Sequence, residues 1–257
     1  MCAASRPGPV VVAGAAGKTG RAVADAFEAA GHEVRRLTRI DGDLADPATL
    51  RAATVGASAL YHLAPNMSPD EEVMGAHAIA AARANDLRLV FHSVLAPAIE
   101  AMPHHWRKAR VEAALHAAPD VRWTILQPAP YLQNLAPFID RGRTTGRFRL
   151  PYDPASALAM VDLADVGEVA VAVVDDDRHV HATWELCGEA GLTHYHVAEA
   201  LGVDIERGRP DDVGDASDDL RAMFRWYDAH GLTGSTVALT ALLGRRPTTL
   251  AEFLGRT

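Results

Sequence analysis

Residues 100 to 112 read EAMPHHWRKARVE, two adjacent histidines and a tryptophan followed by Lys108 and, one turn later, Glu112. Pro103 suits the first position of a helix. His104 and Lys108, four residues apart, then share one helix face. A histidine with an ordinary pKa near ~6.5 gives and recovers protons around neutral pH, so this face could do proton chemistry. A plainer reading makes the pair a polar first turn, with Trp106 packed inward and Lys108 bridged to Glu112 on the surface, a contact worth only a few tenths of a kcal/mol. His62, His92, His116, His179, His181, His194, His196 and His230 show no HExxH or similar carboxylate-backed spacing, so no metal site is expected. Ser93 lacks a GxSxG context, which argues against nucleophilic hydrolysis.

A second constellation lies near the start. GAAGKTG, residues 14 to 20, falls between an apolar run and an amphipathic stretch. At such a strand-to-helix turn the exposed amides and the positive helix end can hold a pyrophosphate, although glycines also serve tight packing alone. The segment RRLTRI, 35 to 40, has Arg36 and Arg39 and no acid before Asp41. A carboxylate at this strand end would bind the ribose hydroxyls of NAD, whereas a guanidinium binds a 2′-phosphate. Arg39 therefore favours NADP(H) over NAD(H), with Lys18 as a second cation.

These residues need a scaffold. Strands are expected at Pro9 to Ala13, His32 to Leu37, Ala59 to Ala64, Leu87 to Val94 and Trp123 to Gln127, with helices at Arg21 to Ala30, Asp70 to Asn85 and Pro103 to Ala118. The alternation predicts a parallel sheet covered on both faces. After Tyr131 the chain turns to connections rich in Pro, Gly and Arg, with helices expected at Ala164 to Val174, Leu220 to His230 and near the end. His181 to Cys187 reads as a strand returning to the main sheet. HYH at 194 to 196 reads as a helix start, and Asp211 to Asp219 as a solvated loop leading into a helix. The expected architecture is α/β, a doubly wound parallel sheet with a smaller, discontinuous C-terminal substrate lobe. The sheet domain spans 8 to 130 with 181 to 188, and the lobe spans 131 to 180 and 189 to 257. The chain of 257 residues is 49% hydrophobic and 23% charged with a net charge of −8, which argues against nucleic-acid binding. Cys2 and Cys187 are the only cysteines, and the N-terminus lacks a secretory pattern, so a reducing, cytoplasmic setting without membrane contact is expected.

Taken together, GAAGKTG, Arg39, Gly42-Asp43-Leu44, VFHSVLAP, PHHWRKARVE, WTILQPAPYLQN and VDLADVGEVA resemble the NmrA-like branch of the atypical short-chain dehydrogenases/reductases, along nearly the whole chain. The resemblance implies a Rossmann fold in which Gly14, Ala16, Gly17, Lys18, Thr19 and Gly20 cradle the pyrophosphate and Arg39 takes the 2′-phosphate. Asp43 and Leu44 lie beside the adenine, and Leu63, Ala64 and Pro65 beside the nicotinamide ribose. Gln127, Pro128 and Tyr131 form the strand-end wall. Asn66, Trp106 and Tyr131 fall on the substrate side, where residues 138 to 152 add apolar walls for an aromatic or quinone-like ligand. Ser93 and Lys108 match positions near the nicotinamide. Reductases of this type place a tyrosine four residues before the lysine, and His104 stands there instead, so the implied mechanism sends hydride to a carbonyl, quinone or enone, with a proton from His104 or water and Ser93 orienting the acceptor. Only three residues separate Arg39 from Asp43, so a helix and much of a strand expected between them are missing. A cofactor-binding sensor without turnover, or an isomerase or dehydratase, fits the same resemblance. The oligomeric state, monomer or homodimer, stays open.

Overall fold

The computed structural model describes residues 8 to 256. In chain order the elements begin β1 (Val10–Ala13), α1 (Lys18–Ala29), β2 (Val34–Leu37), α2 (Pro47–Ala53), β3 (Ala59–His62), α3 (Glu71–Asn85), β4 (Arg88–His92), α4 (Pro103–His116) and β5 (Arg122–Pro128). They continue α5 (Ala136–Thr145), β6 (Arg147–Phe148), β7 (Leu158–Met160), α6 (Leu163–Asp175), β8 (Ala182–Leu186), β9 (Glu189–Leu192), α7 (His194–Leu201), β10 (Asp204–Ile205), α8 (Asp218–His230), α9 (Val237–Leu243) and α10 (Leu250–Leu254).

The main sheet has the order β2-β1-β3-β4-β5-β8. Pairing is parallel from β2 to β5. β1, β3 and β4 are buried at every position, as strands covered on both faces must be. The hydrophobic core runs through Val11, Leu60, Leu89, Phe91 and Ile125. The fold class expected from the sequence is present, and β8 returns to the sheet as anticipated. The order is the doubly wound Rossmann order short of one strand beyond β2. That shortening is the deletion seen between Arg39 and Asp43. The link back to β3 is α2, which the sequence reading omitted although Asp46 and Pro47 signal it: the Asp46 side chain accepts a hydrogen bond from Ala48 N, and proline takes the first helical turn.

The chain forms two compact units. The first comprises residues up to Ala98, His104–Gln127 and Leu163–Trp184. It therefore includes α6, which the sequence reading put in the smaller lobe. The reason is helix packing. A Cβ on Gly167 would stand 2.8 Å from the Ala26 methyl, so α6 needs glycine there to approach α1 closely. The second unit comprises Ile99–Pro103, Pro128–Asp162 and Glu185–Thr257. It holds two small sheets, β10-β6 and β7-β9. Its tail is held by a Thr249–Glu252 capping box and by an Arg256–Asp162 ion pair whose carboxylate is buried. α7 begins at His194 after Thr193, as read from the sequence, while the helical tail divides into α9 and α10 around Gly244. Cys187 is buried and its thiol is pushed up to about 12, so it is unreactive; Cys2 lies outside the described residues.

Candidate cofactor site and buried polar cluster

The parallel strands bring several sequence-predicted residues to one edge, the carboxyl ends, where open α/β sheets bind ligands. β1 continues into Gly14, β2 into the loop carrying Arg39, β3 into Leu63, β4 into Ser93, and β5 ends on Gln127 and Pro128. The strand order reverses direction at β1, with β2 on one side and β3 on the other, which is a topological switch point.

The glycine turn has the shape a pyrophosphate needs. Gly14 has φ of 71°, and a Cβ there would sit 2.8 Å from Leu63 O. A Cβ on Gly20 would sit 2.3 Å from Gly14 O, so this glycine lets α1 pack against the end of β1. Gly17 is the cap residue of α1, and no acidic side chain occupies the helix's first turn. Its amides and positive dipole end are left for an anion. Ala16 and Lys18 are exposed and Thr19 is half-buried beside them. Partial desolvation lowers the Lys18 pKa.

At the end of β2 the three arginines are used differently. Arg35 donates to the carbonyl oxygens of Ala53 and Val55, the latter at 3.1 Å. Arg36 bridges Glu28 and Asp25 on α1. Arg39 is exposed and has no ion pair among the described residues, which leaves its guanidinium available. Asp41 is turned inward on its own loop, accepting hydrogen bonds from Thr38 N at 2.8 Å and Thr38 Oγ1 at 2.7 Å. Asp43 accepts from Ala45 N at 2.9 Å, and Leu44 is buried. Leu63 is half-buried, Ala64 buried, and Pro65 and Asn66 exposed in the loop after β3.

The helix face that opened the sequence reading is buried, and its plainer interpretation fails on two points. His104, His105 and Lys108 point inward, while Trp106 is half-buried. Nor is there a surface Lys108–Glu112 bridge. Lys108 Nζ donates to Glu71 Oε1 at 2.9 Å and to His92 O at 3.0 Å, with both side chains of the ion pair almost wholly out of solvent. Glu112 instead meets Ser93 Oγ and receives Gln127 Nε2 at 3.0 Å and 2.9 Å on its two oxygens. Burial raises the Glu112 carboxyl above its usual range, against the opposing effects of these hydrogen bonds and of His116 and Lys108. Tyr61 adds a hydrogen bond to His92 Nδ1 at 2.5 Å. Sequence reasoning missed Glu71 altogether, because an acid in a helix's first turn is explained by the helix dipole alone.

The premise of an ordinary histidine is also corrected. Burial first, then the Lys108 charge and its neighbours, lower the His104 pKa to about 3. His104 is therefore a neutral imidazole at neutral pH, and its Nδ1 has no hydrogen-bond partner among the described residues. His105 is lowered to about 4, again chiefly by burial.

In the second unit Pro128 is buried and Tyr131 half-buried, its backbone bridged to Val161. Phe138 is half-buried as well. Phe148 and Tyr152 do not form the apolar wall expected of them. Phe148 meets His194 edge-on, and Tyr152 packs on His194, Phe224 and Tyr227, so both belong to that unit's own core. Among the described residues no group of three His, Cys, Asp or Glu side chains is placed to hold a metal. None of the described helices is long and apolar enough to cross a membrane.

A doubly wound parallel sheet with a glycine turn at its switch point defines a Rossmann-type α/β protein. The chain belongs to the NmrA-like family, whose model it matches from residue 8 to residue 254. It is 26% identical over 256 residues to an NAD(P)H azoreductase of Xenophilus azovorans, covering 90% of this chain and 86% of that protein. An Escherichia coli NADPH-dependent quinone oxidoreductase solved with NADPH shares the fold with a TM-score of 0.80 at 20% identity, over 96% of this chain and 99% of the other. A Citrobacter sp. triphenylmethane reductase solved with NADP(H) does so with a TM-score of 0.79 at 19% identity, again over 96% and 99%.

Proposed function

We propose that this protein is an NADP(H)-dependent reductase of small aromatic, quinone-like or azo-type acceptors. The observation that carries the reading is the pairing of a glycine cradle at the switch point with the unpaired Arg39 at the next strand end. The cradle suits a pyrophosphate, and Arg39 suits a 2′-phosphate, with Lys18 as a second cation. Asp43 and Leu44 border the adenine. Leu63, Ala64 and Pro65 are the proposed contacts of the nicotinamide ribose, and Gln127, Pro128 and Tyr131 are proposed as further cofactor contacts. When bound, NADPH supplies hydride. Relationship to the azoreductase supports reduction as the outcome, and Asn66, Trp106 and Tyr131 are the proposed acceptor contacts.

Within this reading Lys108 uses two of its ammonium protons on Glu71 and His92 O and has a third for a ribose hydroxyl. Ser93 is the polar group nearest the acceptor's oxygen or nitrogen. His104, being neutral, polarises the acceptor by hydrogen bonding and does not act as a cationic acid. The substrate lobe is the second unit, and the setting is cytoplasmic. A sensor without turnover is the second reading, favoured by the histidine that stands where tyrosine is expected.

Stopped-flow NADPH oxidation with a quinone, an enone and an azo dye, alongside NADPH binding by fluorescence, tests the proposal. Tight binding with oxidation by at least one acceptor supports the reductase. Tight binding with no oxidation selects the sensor, and no binding refutes both.

A further inference from the structure

The reductase reading leaves a proton unaccounted for. Reduction of a polar double bond needs hydride and a proton, and the usual phenol is replaced by His104, which is neutral at the pH of interest. His92 is likewise lowered to about 3, and Lys108 is held in its buried pair with Glu71. Among the titratable groups described in this cluster, Glu112 alone is a carboxyl in contact with a hydroxyl at the end of a sheet strand.

Its geometry has two distinguishable states. Ser93 Oγ lies against Glu112 Oε1, and Gln127 Nε2 reaches both carboxyl oxygens. With Glu112 ionised, the single Ser93 hydrogen points at the carboxylate and Ser93 has nothing to donate to an acceptor. With Glu112 protonated on Oε1, the carboxyl donates to Ser93 Oγ and Gln127 donates to Oε2. The Ser93 hydrogen is then free. Ser93, Glu112 and Gln127 are all buried, so bulk water does not substitute for this arrangement. The groups facing Glu112 are Ser93 just after β4, Gln127 of β5, and Lys108 and His116 of its own helix.

We propose that Glu112 is a positioning residue and proton source for Ser93, passing its carboxyl proton to Ser93 Oγ as the Ser93 hydroxyl proton passes to the acceptor. The inference rests on the reductase reading. Reduced nicotinamide supplies an electron pair with its hydrogen to one atom of the acceptor's double bond. The Ser93 O–H bond breaks as the new bond to hydrogen forms on the other atom. The Glu112 O–H bond breaks as the Ser93 hydroxyl is restored, leaving oxidised nicotinamide and a carboxylate held by Ser93 and Gln127. After product leaves, a proton taken up from solvent restores the Glu112 carboxyl before the next cycle.

The test compares wild type, Glu112→Gln, Glu112→Asp and Ser93→Ala by infrared spectroscopy, NADPH binding and the pH dependence of kcat with a water-soluble benzoquinone. Wild type should show a protonated-carboxyl band at neutral pH that moves in D2O and is lost in Glu112→Gln. General acid catalysis sets the scale, so Glu112→Gln should lower kcat about 100-fold or more while the Kd for NADPH stays within about twofold. Wild-type kcat should fall as pH rises through the Glu112 pKa, and that limb should vanish in Glu112→Gln and return in part in Glu112→Asp. Should Glu112→Gln fail to fold, Ser93→Ala decides. It must keep the carboxyl band at a displaced frequency and lose kcat by a similar factor. Wild-type kcat in Glu112→Gln or in Ser93→Ala, no carboxyl band to lose, or a loss of kcat with the alkaline limb intact overturns the relay alone. If none of the quinone, enone and azo acceptors oxidises NADPH with the wild-type protein, the reductase reading is overturned, and the relay with it.

Discussion

Replacing Lys108 is the obvious test of a catalytic lysine, and the structure says it will mislead if used alone. Lys108 Nζ is 2.9 Å from Glu71 Oε1, and the two side chains are 4% and 0% exposed. Glu71 Oε2 has no hydrogen-bond partner among the described residues, so the lysine is the carboxylate's compensation. Lys108→Met removes it and leaves a charge stranded in the interior. Breaking a buried pair from one side costs about 3–5 kcal/mol. For a chain of this length 1 kcal/mol corresponds to roughly 2–4 °C in Tm, so the variant should melt roughly 6–20 °C lower. Glu71→Gln strands the lysine less severely, because His92 O still accepts from it, and should cost less than Lys108→Met. The double variant Glu71→Gln/Lys108→Met removes both charges and should recover most of the loss, because a buried pair replaced by neutral groups is often neutral or better. Urea denaturation of the four proteins at neutral pH gives the coupling energy, expected at about 2 kcal/mol or more. A Lys108→Met cost under about 1 kcal/mol, or a double variant no more stable than that single one, would refute the buried-pair reasoning. Catalysis is then read in the double variant, whose folding is restored. Activity still absent there assigns Lys108 a role at the cofactor.

Other perturbations separate similar residues. Arg39→Ala should weaken NADPH binding about 10- to 150-fold, the worth of a hydrogen bond to a charged group at about 1.5–3 kcal/mol, and leave NADH nearly unchanged. Arg36→Ala, which loses only its bridges to Glu28 and Asp25, should leave both cofactors unaffected; equal losses in isothermal titrations of both variants would remove Arg39 from the phosphate site. Gly20→Ala places a methyl against Gly14 O and should cost about 1–3 kcal/mol with loss of NADPH binding, measured by thermal melting and fluorescence, whereas an unchanged melt would mean the turn is slack. His62 is fully buried, burial chiefly lowers its pKa to about 3, and neither ring nitrogen has a hydrogen-bond partner among the described residues. As pH falls from about 6.5 towards 3 the unfolded chain binds protons that the folded His62, His92 and His104 refuse, so stability should decline over that window. His62→Phe should flatten the decline and match or exceed wild-type stability at neutral pH; an unaltered slope would show that His62 does not contribute.

Much of the scaffold was legible because it follows local rules. The apolar β-branched run VVVA gave β1, mainly apolar short runs gave β3 and β4, and the glycine spacing gave the β1 turn. Asp86 illustrates the limit. It ends α3 in the left-handed region at φ 50°, a conformation no local pattern at that residue demands. The short strands β6, β7, β9 and β10 were missed for a related reason, since two to four residues carry too little periodicity to stand out.

The candidate site was legible in its membership more than in its wiring. Sequence spacing put His104, Lys108 and Glu112 on one helix face, and the structure buries all three, which spacing alone did not indicate. Spacing cannot say which neighbour each one meets. That depends on β4 and β5 lying side by side, which sets Ser93 and Gln127 opposite Glu112, and on α3 presenting Glu71 to Lys108. The sequence suggested a lysine beside a glutamate four residues on. Folding gives each a different partner, so Glu71 fixes the cation while Glu112 meets the Ser93 hydroxyl and the Gln127 amide. The replacement of tyrosine by His104 then ceases to be the whole question. With His104 kept neutral by burial, the proposed relay places the acid at Ser93 and the Glu112 carboxyl that it meets.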